Sequence, residues 1–232
     1  DSILKAETKN TSDIRTKSRS IERTDLACFI YTSGTGGNPK GVMLTHGSIL
    51  ANCFSAFDLL TDFGLGDEIF LSLLPLSHSY ELTCGLYFPI SIGAQIYYAE
   101  GPDKVAQNLL EARPTIMTAV PRLYESLYDR IKKGVERTGG MKAKLFFKAV
   151  ELGKKSQSPN YKMSWVENLK NRSLNHLVRK KVKEKFGGRL KTFVSGGAAL
   201  NPEIGDFFLS LGINILQGYG QTEASPVISC NR

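Results

Sequence analysis

A chain of 232 residues, 41% hydrophobic and 22% charged, can bury one large core or two modest ones, which excludes a disordered tail. No run of about 18 apolar residues is present to span a membrane, and the opening Asp1-Ser2-Ile3-Leu4-Lys5 lacks the charged-then-apolar layout of a signal peptide. The net charge of +8 is localised: residues 130–191 hold 19 Lys and Arg against four Glu, a net of +15, which leaves −7 on the rest.

Residues 1–24 are polar, rich in Thr, Ser, Lys and Arg, without a sustained period, and read as a linker or edge segment. Leu26 to Tyr31 is a short apolar run suited to a buried strand. It leads into Thr32-Ser33-Gly34-Thr35-Gly36-Gly37-Asn38-Pro39-Lys40-Gly41, which has little to pack and many groups that bind oxygen. Glycine permits close backbone approach, successive N–H groups form anion-binding concavities, and the hydroxyls and Lys40 add donors. The stretch reads as a phosphate loop; taken alone, a Gly/Ser/Thr-rich surface turn is the alternative. Thr45 is an N-cap candidate for a helix reaching Leu60, with Ile49, Leu50, Cys53, Phe54, Phe57 and Leu60 on one face. The predicted unit is strand, loop, helix.

Glu68 to Leu74, Ala94 to Ala99 and Thr115 to Val120 read as strands, with a helix over Asp103 to Glu111. From Arg122 to Phe186 the pattern is helical and basic, broken at Gly139-Gly140 and at Ser158-Pro159-Asn160. Val166, Leu169, Leu174, Leu177, Val178, Val182 and Phe186 follow helical spacing within it, as expected of an amphipathic helix packed on a core or laid on an anionic membrane. Leu190 to Val194 is a strand, Ser195 to Leu200 a turn, and Asn201-Pro202-Glu203 a helix start with N-cap, N1 proline and acidic first turn. That helix ends by Leu211-Gly212, and the strand Ile213 to Leu216 runs into Gln217-Gly218-Tyr219-Gly220-Gln221-Thr222-Glu223. Alternation of strands and helices predicts an α/β domain with a largely parallel sheet flanked by helices, incomplete over residues 25–232, with a basic helical region at 122–189. The segments at 32–41, 195–199 and 218–223 each follow a predicted strand and are expected to meet at one sheet edge.

Cys28, Cys53, Cys84 and Cys230 have no metal-ligand spacing and read as free thiols of a reducing compartment. The basic region lacks an interleaved aromatic platform or recognition motif, so nucleic acid is not an expected partner. The first loop is not a Walker A motif, because Lys40 is followed by Gly41 and Val42 rather than by Ser or Thr. It is not a dinucleotide fingerprint either, because glycines at 34, 36 and 37 do not give Gly-x-Gly-x-x-Gly. Glu223 beside Thr222 offers a carboxylate that Mg²⁺ could take and a hydroxyl for a phosphate oxygen; taken alone, an exposed polar surface pair is the commoner alternative.

The first loop, Leu74-Pro75-Leu76-Ser77-His78-Ser79, Ser195-Gly196-Gly197-Ala198-Ala199-Leu200 and Tyr219-Gly220-Gln221-Thr222-Glu223 resemble, in order and approximate spacing, the motifs of the adenylate-forming superfamily. Val120-Pro121-Arg122-Leu123-Tyr124-Glu125 resembles its long-chain acyl-CoA synthetase branch. The resemblance covers about residues 25–232, the middle of the family's large N-terminal domain. It implies ATP-dependent activation of a fatty acid to an acyl-adenylate, then transfer to CoA, with Mg²⁺ as cofactor.

By the same resemblance Thr32, Ser33, Gly34, Thr35, Gly36 and Lys40 form the β- and γ-phosphate site, although the commonest family loop has Thr where Gly36 stands. Gly197, Ala198 and Tyr219 would contact adenine. Thr222 would touch the α-phosphate and acyl carboxylate, Glu223 would bind Mg²⁺, and His78 would stand beside the carboxylate. The chain opens on Asp1 rather than Met, which suggests a fragment or processed product. The family's ribose-binding Asp, hinge and C-terminal domain would lie beyond Arg232, so the chain alone is expected to be inactive. Its expected location is cytoplasmic, either free or in peripheral contact through residues 130–191 with the inner face of an anionic membrane. The competing readings are another carboxylate-activating enzyme taking an aryl or amino acid, and a non-catalytic nucleotide- or membrane-binding remnant.

Overall fold

The structure, a computed structural model, describes residues 11–33 and 37–231. The polar N-terminal stretch is helical over α1 (Thr11–Ser20), where a linker or edge is expected; residues 1–10 lie outside the described residues. From Ile14 on, α1 is exposed and buries no apolar stripe, which is why no period betrays it, and Lys17 and Arg19 in its last turn meet the negative end of the helix dipole.

The next segment departs from the strand-loop-helix expectation. β1 (Leu26–Thr32) pairs antiparallel with β2 (Lys40–Thr45), with Tyr31 opposite Gly41 and Thr32 opposite Lys40, so the phosphate-loop candidate joins the arms of a hairpin. Alternation sends Ile30 and Leu44 inward and Phe29, Tyr31 and Met43 outward. β1 is therefore half-exposed rather than buried.

Thr45 ends β2 and caps α2 (His46–Thr61), its hydroxyl accepting the Ser48 N–H at 3.2 Å. Ile49, Cys53 and Leu60 are buried, whereas Leu50, Phe54 and Phe57 are exposed. At ~100° per residue the six span about 140° of the helix, and only one edge of that stripe meets the core.

The remaining elements follow the predicted alternation. β3 (Ile69–Ser72) leads to the short helix α3 (Ser79–Glu81), which continues through a π-helical turn at Leu82–Tyr87 into α4 (Phe88–Ser91). Then come β4 (Gln95–Tyr98), α5 (Val105–Ala112), β5 (Ile116–Ala119), α6 (Pro121–Thr138), α7 (Gly140–Gln157) and α8 (Trp165–Leu174). A second π-helical turn, Asn175–Arg179, joins α8 to α9 (Lys180–Glu184). β6 (Thr192–Ser195), α10 (Pro202–Ser210), β7 (Asn214–Gly220), a 3₁₀ turn at Thr222–Ala224 and β8 (Val227–Cys230) close the chain. The breaks at Gly139 and around Pro159 fall between α6, α7 and α8, and Asn201 caps α10 by accepting the Glu203 N–H at 2.9 Å.

The six-stranded sheet has the order β4-β3-β5-β6-β7-β8, parallel except for β8. β7 is longer than predicted: Gly218, Tyr219 and Gly220 are strand residues rather than a turn, because β8 folds back and pairs with them. Alternate strand residues divide the core. Phe70, Ile116 and Leu216 pack with the hairpin and α2, whereas Leu71, Met117, Phe193 and Ile215 pack beneath α5 to α10.

The basic region thus covers one sheet face. Leu174, Val178, Val182 and Phe186, four residues apart, are buried in that core, and Val166, Leu169 and Leu177 are exposed. Arg179 is buried too. It donates Nε–H to Ser210 O (2.7 Å), Nη1–H to Asn171 O (3.1 Å), and Nη2–H to Ala149 O and Asn171 Oδ1 (both 2.7 Å), tying α7, α8 and α10 together.

Candidate active site

β3 and β5 are neighbours although β4 lies between them in sequence, so the chain reverses direction across the sheet there, and ligands of open α/β sheets collect beyond strand C-termini at such points. A pocket of about 150 Å³ occupies this edge, lined by His78, Ser79, Tyr80, Gly196–Gly197, Gly218–Thr222, Pro226 and Val227.

His78 caps α3, its Nδ1 accepting the Tyr80 N–H at 3.2 Å. That bond uses the Nδ1 lone pair, so in the neutral ring the proton resides on Nε2, which is left to address a ligand. Ser79 and Thr222 share a hydrogen bond between hydroxyls at 3.1 Å. The hydroxyls of Tyr80 and Tyr124 both donate to Val194 O at 2.9 Å, which holds the end of β6 from two sides. Gly196 admits the Tyr80 ring: a Cβ there would stand 2.8 Å from its Cζ. Gly197 turns with φ +82°, a conformation that favours glycine. At the end of β7 the Tyr219 ring is 59% exposed, with its hydroxyl accepting from Gln221 at 3.3 Å, and offers an open π face.

Of the residues singled out by sequence, the structure gathers His78, Gly197, Tyr219 and Thr222 around this pocket. Ala198 and Glu223 flank the lining and are exposed. Thr32, Ser33 and Lys40 stand on the hairpin outside the lining; Gly34, Thr35 and Gly36 lie outside the described residues. β2 lies against the Thr222–Ala224 turn, so the hairpin adjoins the pocket's rim. The expected meeting of three loops is thus seen directly for the second and third.

An apolar cavity of about 280 Å³ adjoins the pocket and shares Tyr80, Gly218 and Val227 with it. Phe70, Cys84, Phe88, Ile116 and Leu59 are among its walls. Among the described residues its lining contains no Asp, Glu, Lys, Arg or His. The four cysteines are free; burial pushes the thiols of Cys53, Cys84 and Cys230 up, which keeps them protonated and apolar in character.

Glu81, directly after the His78-Ser79-Tyr80 run, is fully buried and had no signal of its own in the sequence. Ser72 donates to its Oε1 at 2.5 Å and Thr118 to its Oε2 at 3.3 Å. Burial raises its carboxyl above the ordinary 4.5, outweighing those donors. A folded-state value raised above the unfolded one contributes stability that is complete below about 4.5 and lost as pH rises through the folded value. Thermal melts should therefore show the gap between Glu81→Gln and the unsubstituted chain shifting in favour of Gln from pH 4.5 to pH 8. A gap that does not change with pH would mean an unperturbed carboxylate.

A parallel sheet whose small-residue loops and exposed tyrosine ring enclose a polar pocket at the strand C-termini defines a ligand-binding α/β domain. The chain belongs to the AMP-binding enzyme family, whose profile matches residues 1–232. It is 35% identical over 215 residues to the peroxisomal long chain acyl-CoA synthetase 6 of Arabidopsis thaliana, covering 88% of this chain and 28% of the relative. It is 38% identical over 205 residues to the human long-chain-fatty-acid–CoA ligase ACSBG2, covering 86% and 30%. The chain thus spans about 30% of the length of these curated relatives.

Among solved structures, the adenylation domain of a Mycobacterium chelonae carboxylate reductase superposes with a TM-score of 0.61 at 26% identity, over 94% of this chain and 31% of that one. The o-succinylbenzoate CoA synthetase of Bacillus subtilis, at 19% identity and TM-score 0.58 over 91% and 33%, shares the fold.

Proposed function

We propose that the chain is the nucleotide- and acyl-binding part of an ATP- and Mg²⁺-dependent long-chain fatty acid–CoA ligase. The observation that carries the acyl class is the apolar cavity opening beside His78 and Thr222, whose described lining offers no charge to pair with an amino acid and suits an alkyl chain. This favours a fatty acid over the amino-acid-activating alternative; the acyl-chain scan below separates it from an aryl acid.

In this reading an acyl carboxylate lies at the pocket with its tail in the cavity. One carboxylate oxygen attacks the α-phosphorus of ATP, the acyl–O–P bond forms, and pyrophosphate leaves; the thiol of CoA then displaces AMP at the acyl carbon. Positioning and charge neutralisation dominate such chemistry. Thr222 orients the α-phosphate and carboxylate, its hydroxyl held by Ser79, and His78 presents Nε2–H to the carboxylate. Tyr219 stacks on adenine with Gly197 and Ala198 beside it. Thr32, Ser33, Gly34, Thr35, Gly36 and Lys40 hold the outer phosphates.

Glu223 fits Mg²⁺, which takes one or two carboxylates and fills its shell from phosphate and water. It is exposed beside Thr222, and among the described residues no group of three or more His, Cys, Asp or Glu is disposed to cage a metal. When bound, the ion neutralises phosphate charge. The test is ATP–pyrophosphate exchange by the intact protein, scanned over fatty acids from short to long. Exchange that rises with long acyl chains is the expected result; none with any fatty acid would refute the reading.

Among the described residues no helix is long and apolar enough to cross a membrane. A cytoplasmic location with peripheral contact is the accompanying proposal, and it draws on α8 and the turn after it. Trp165 is 77% exposed, Leu169 and Leu177 are exposed too, and the same stretch of sequence through the start of α9 exposes Lys170, Arg172, Lys180 and Lys181. Co-sedimentation with anionic vesicles, strong at low salt and weak at high salt, is expected. Absence of binding at either salt would remove the membrane contact and leave the ligase reading intact.

A further inference from the structure

The turn carrying Thr222 and Glu223 is held by a side chain far away in sequence. Asn52, in the second turn of α2, donates Nδ2–H to Ala224 O at 3.0 Å and accepts the Val227 N–H on Oδ1 at 2.8 Å. Its one carboxamide therefore grips the end of the 3₁₀ turn and the start of β8 at once. Asp at this position would have acceptors only, Gln would be one methylene longer, and Ala would leave a part-buried N–H and C=O without these partners.

Asn is also an indifferent helix former, costing roughly half a kcal/mol relative to Ala, so two long-range bonds are what this side chain contributes in the middle of a helix. The connection reaches further through the backbone. α2 starts directly after β2, with Thr45 serving as last strand residue and N-cap, and β2 opens on Lys40. Asn52 thus ties the hairpin-and-helix unit bearing Lys40 to the turn bearing Thr222 and Glu223.

We propose that Asn52 is a positioning residue: it locks the Thr222–Glu223 turn against α2, so that Glu223 and the lysine-bearing hairpin address the same nucleotide. The proposal rests on the reading of Thr222 and Glu223 as a MgATP site. The bridge itself is testable without nucleotide. Hydrogen exchange at the Val227 amide should be about tenfold faster in Asn52→Ala, whereas Asn52→Asp, which keeps the acceptor, should stay near the unsubstituted rate. Equal rates in all three would overturn the bridge.

The functional readout is calorimetric titration of the chain with ATP, with Mg²⁺ and with EDTA. Asn52→Ala is expected to lose about tenfold in affinity with Mg²⁺ and clearly less in EDTA, because the turn carries both Thr222 and Glu223 and only Glu223 acts through the metal. Asn52→Asp, lacking the donor to Ala224, should lose part of that. A loss of equal size with and without Mg²⁺ marks a merely structural residue and overturns the proposal, as does unchanged MgATP affinity in a variant that melts normally. If Asn52→Ala does not fold, Asn52→Asp carries both calorimetric comparisons, and Asn52→Leu, which removes donor and acceptor alike but keeps the bulk, takes the place of Ala in the exchange comparison. No Mg²⁺-dependent binding by the unsubstituted chain would overturn the nucleotide reading and with it the positioning role, while the exchange result would still decide the bridge.

Discussion

Replacing Glu223 by Gln is expected to lower fatty-acid-dependent ATP–pyrophosphate exchange of the intact protein by about 10²–10³-fold, the size seen when one group aimed at developing charge is removed. Gln keeps the volume and one oxygen but not the negative charge that a hard divalent cation requires. The loss should be partly offset by raising Mg²⁺, because the remaining ligands come from phosphate and water. Lys40→Ala should act differently, raising the KM for ATP more than it lowers kcat, since a cation on the outer phosphates serves ground state and transition state alike. Full exchange by Glu223→Gln at low Mg²⁺ would show that the carboxylate is a surface group and would transfer the metal site elsewhere.

Arg179→Ala is expected to destabilise the chain by about 3 kcal/mol, read as a lower urea midpoint with an unchanged slope. The substitution strips hydrogen bonds from Ser210 O, Ala149 O, Asn171 O and Asn171 Oδ1, in a place where water has little access. Burial lowers the Arg179 pKa, yet guanidinium remains charged at any working pH, so its four bonds offset the loss of water. Arg179→Lys should recover little, because an ammonium cannot reproduce the planar fork across three helices. A stability equal to that of the unsubstituted chain would mean that the three helices close without the pin.

Arg179 also shows where reading the sequence stops. It is one of the 19 positive charges that mark residues 130–191 as basic, and nothing in its neighbours separates it from Lys180 or Lys181. Those two are exposed and Arg179 is inside. Only the packing of α7, α8 and α10 places three carbonyls where its fork can reach them. The hairpin is a second case: Lys40 to Thr45 holds only the three-residue apolar run Val42-Met43-Leu44, without period-2 alternation, between a glycine- and proline-rich loop and a strong helix, so nothing local marks it as a strand. The apolar stripe of α2 is a third, since periodicity assigns six residues to one face and burial covers three.

The pocket was legible where chemistry sits in contiguous motifs. His78, Gly197, Tyr219 and Thr222 were each marked by a short run, and each stands at or beyond the C-terminal end of a strand whose direction puts it at the same edge. Asn52 and Glu81 were not marked. Asn52 acts on residues 172 and 175 positions away, and Glu81 matters because Ser72 and Thr118 stand on neighbouring strands.

The sequence by itself determined the alternation of strands and helices, the caps at Thr45 and Asn201, the breaks at Gly139 and Pro159, and the positions of the glycine- and hydroxyl-rich loops, because periodicity, capping and backbone freedom act within a few residues. The tertiary structure alone decided that β1 pairs in a hairpin, that Tyr219 ends a strand, that one arginine of the basic region is a core pin, and that an asparagine in α2 holds the Thr222–Glu223 turn. Those outcomes depend on which distant groups come within about 3 Å of one another, and hydrogen bonds and burial are settled at that range only after the chain has closed on itself.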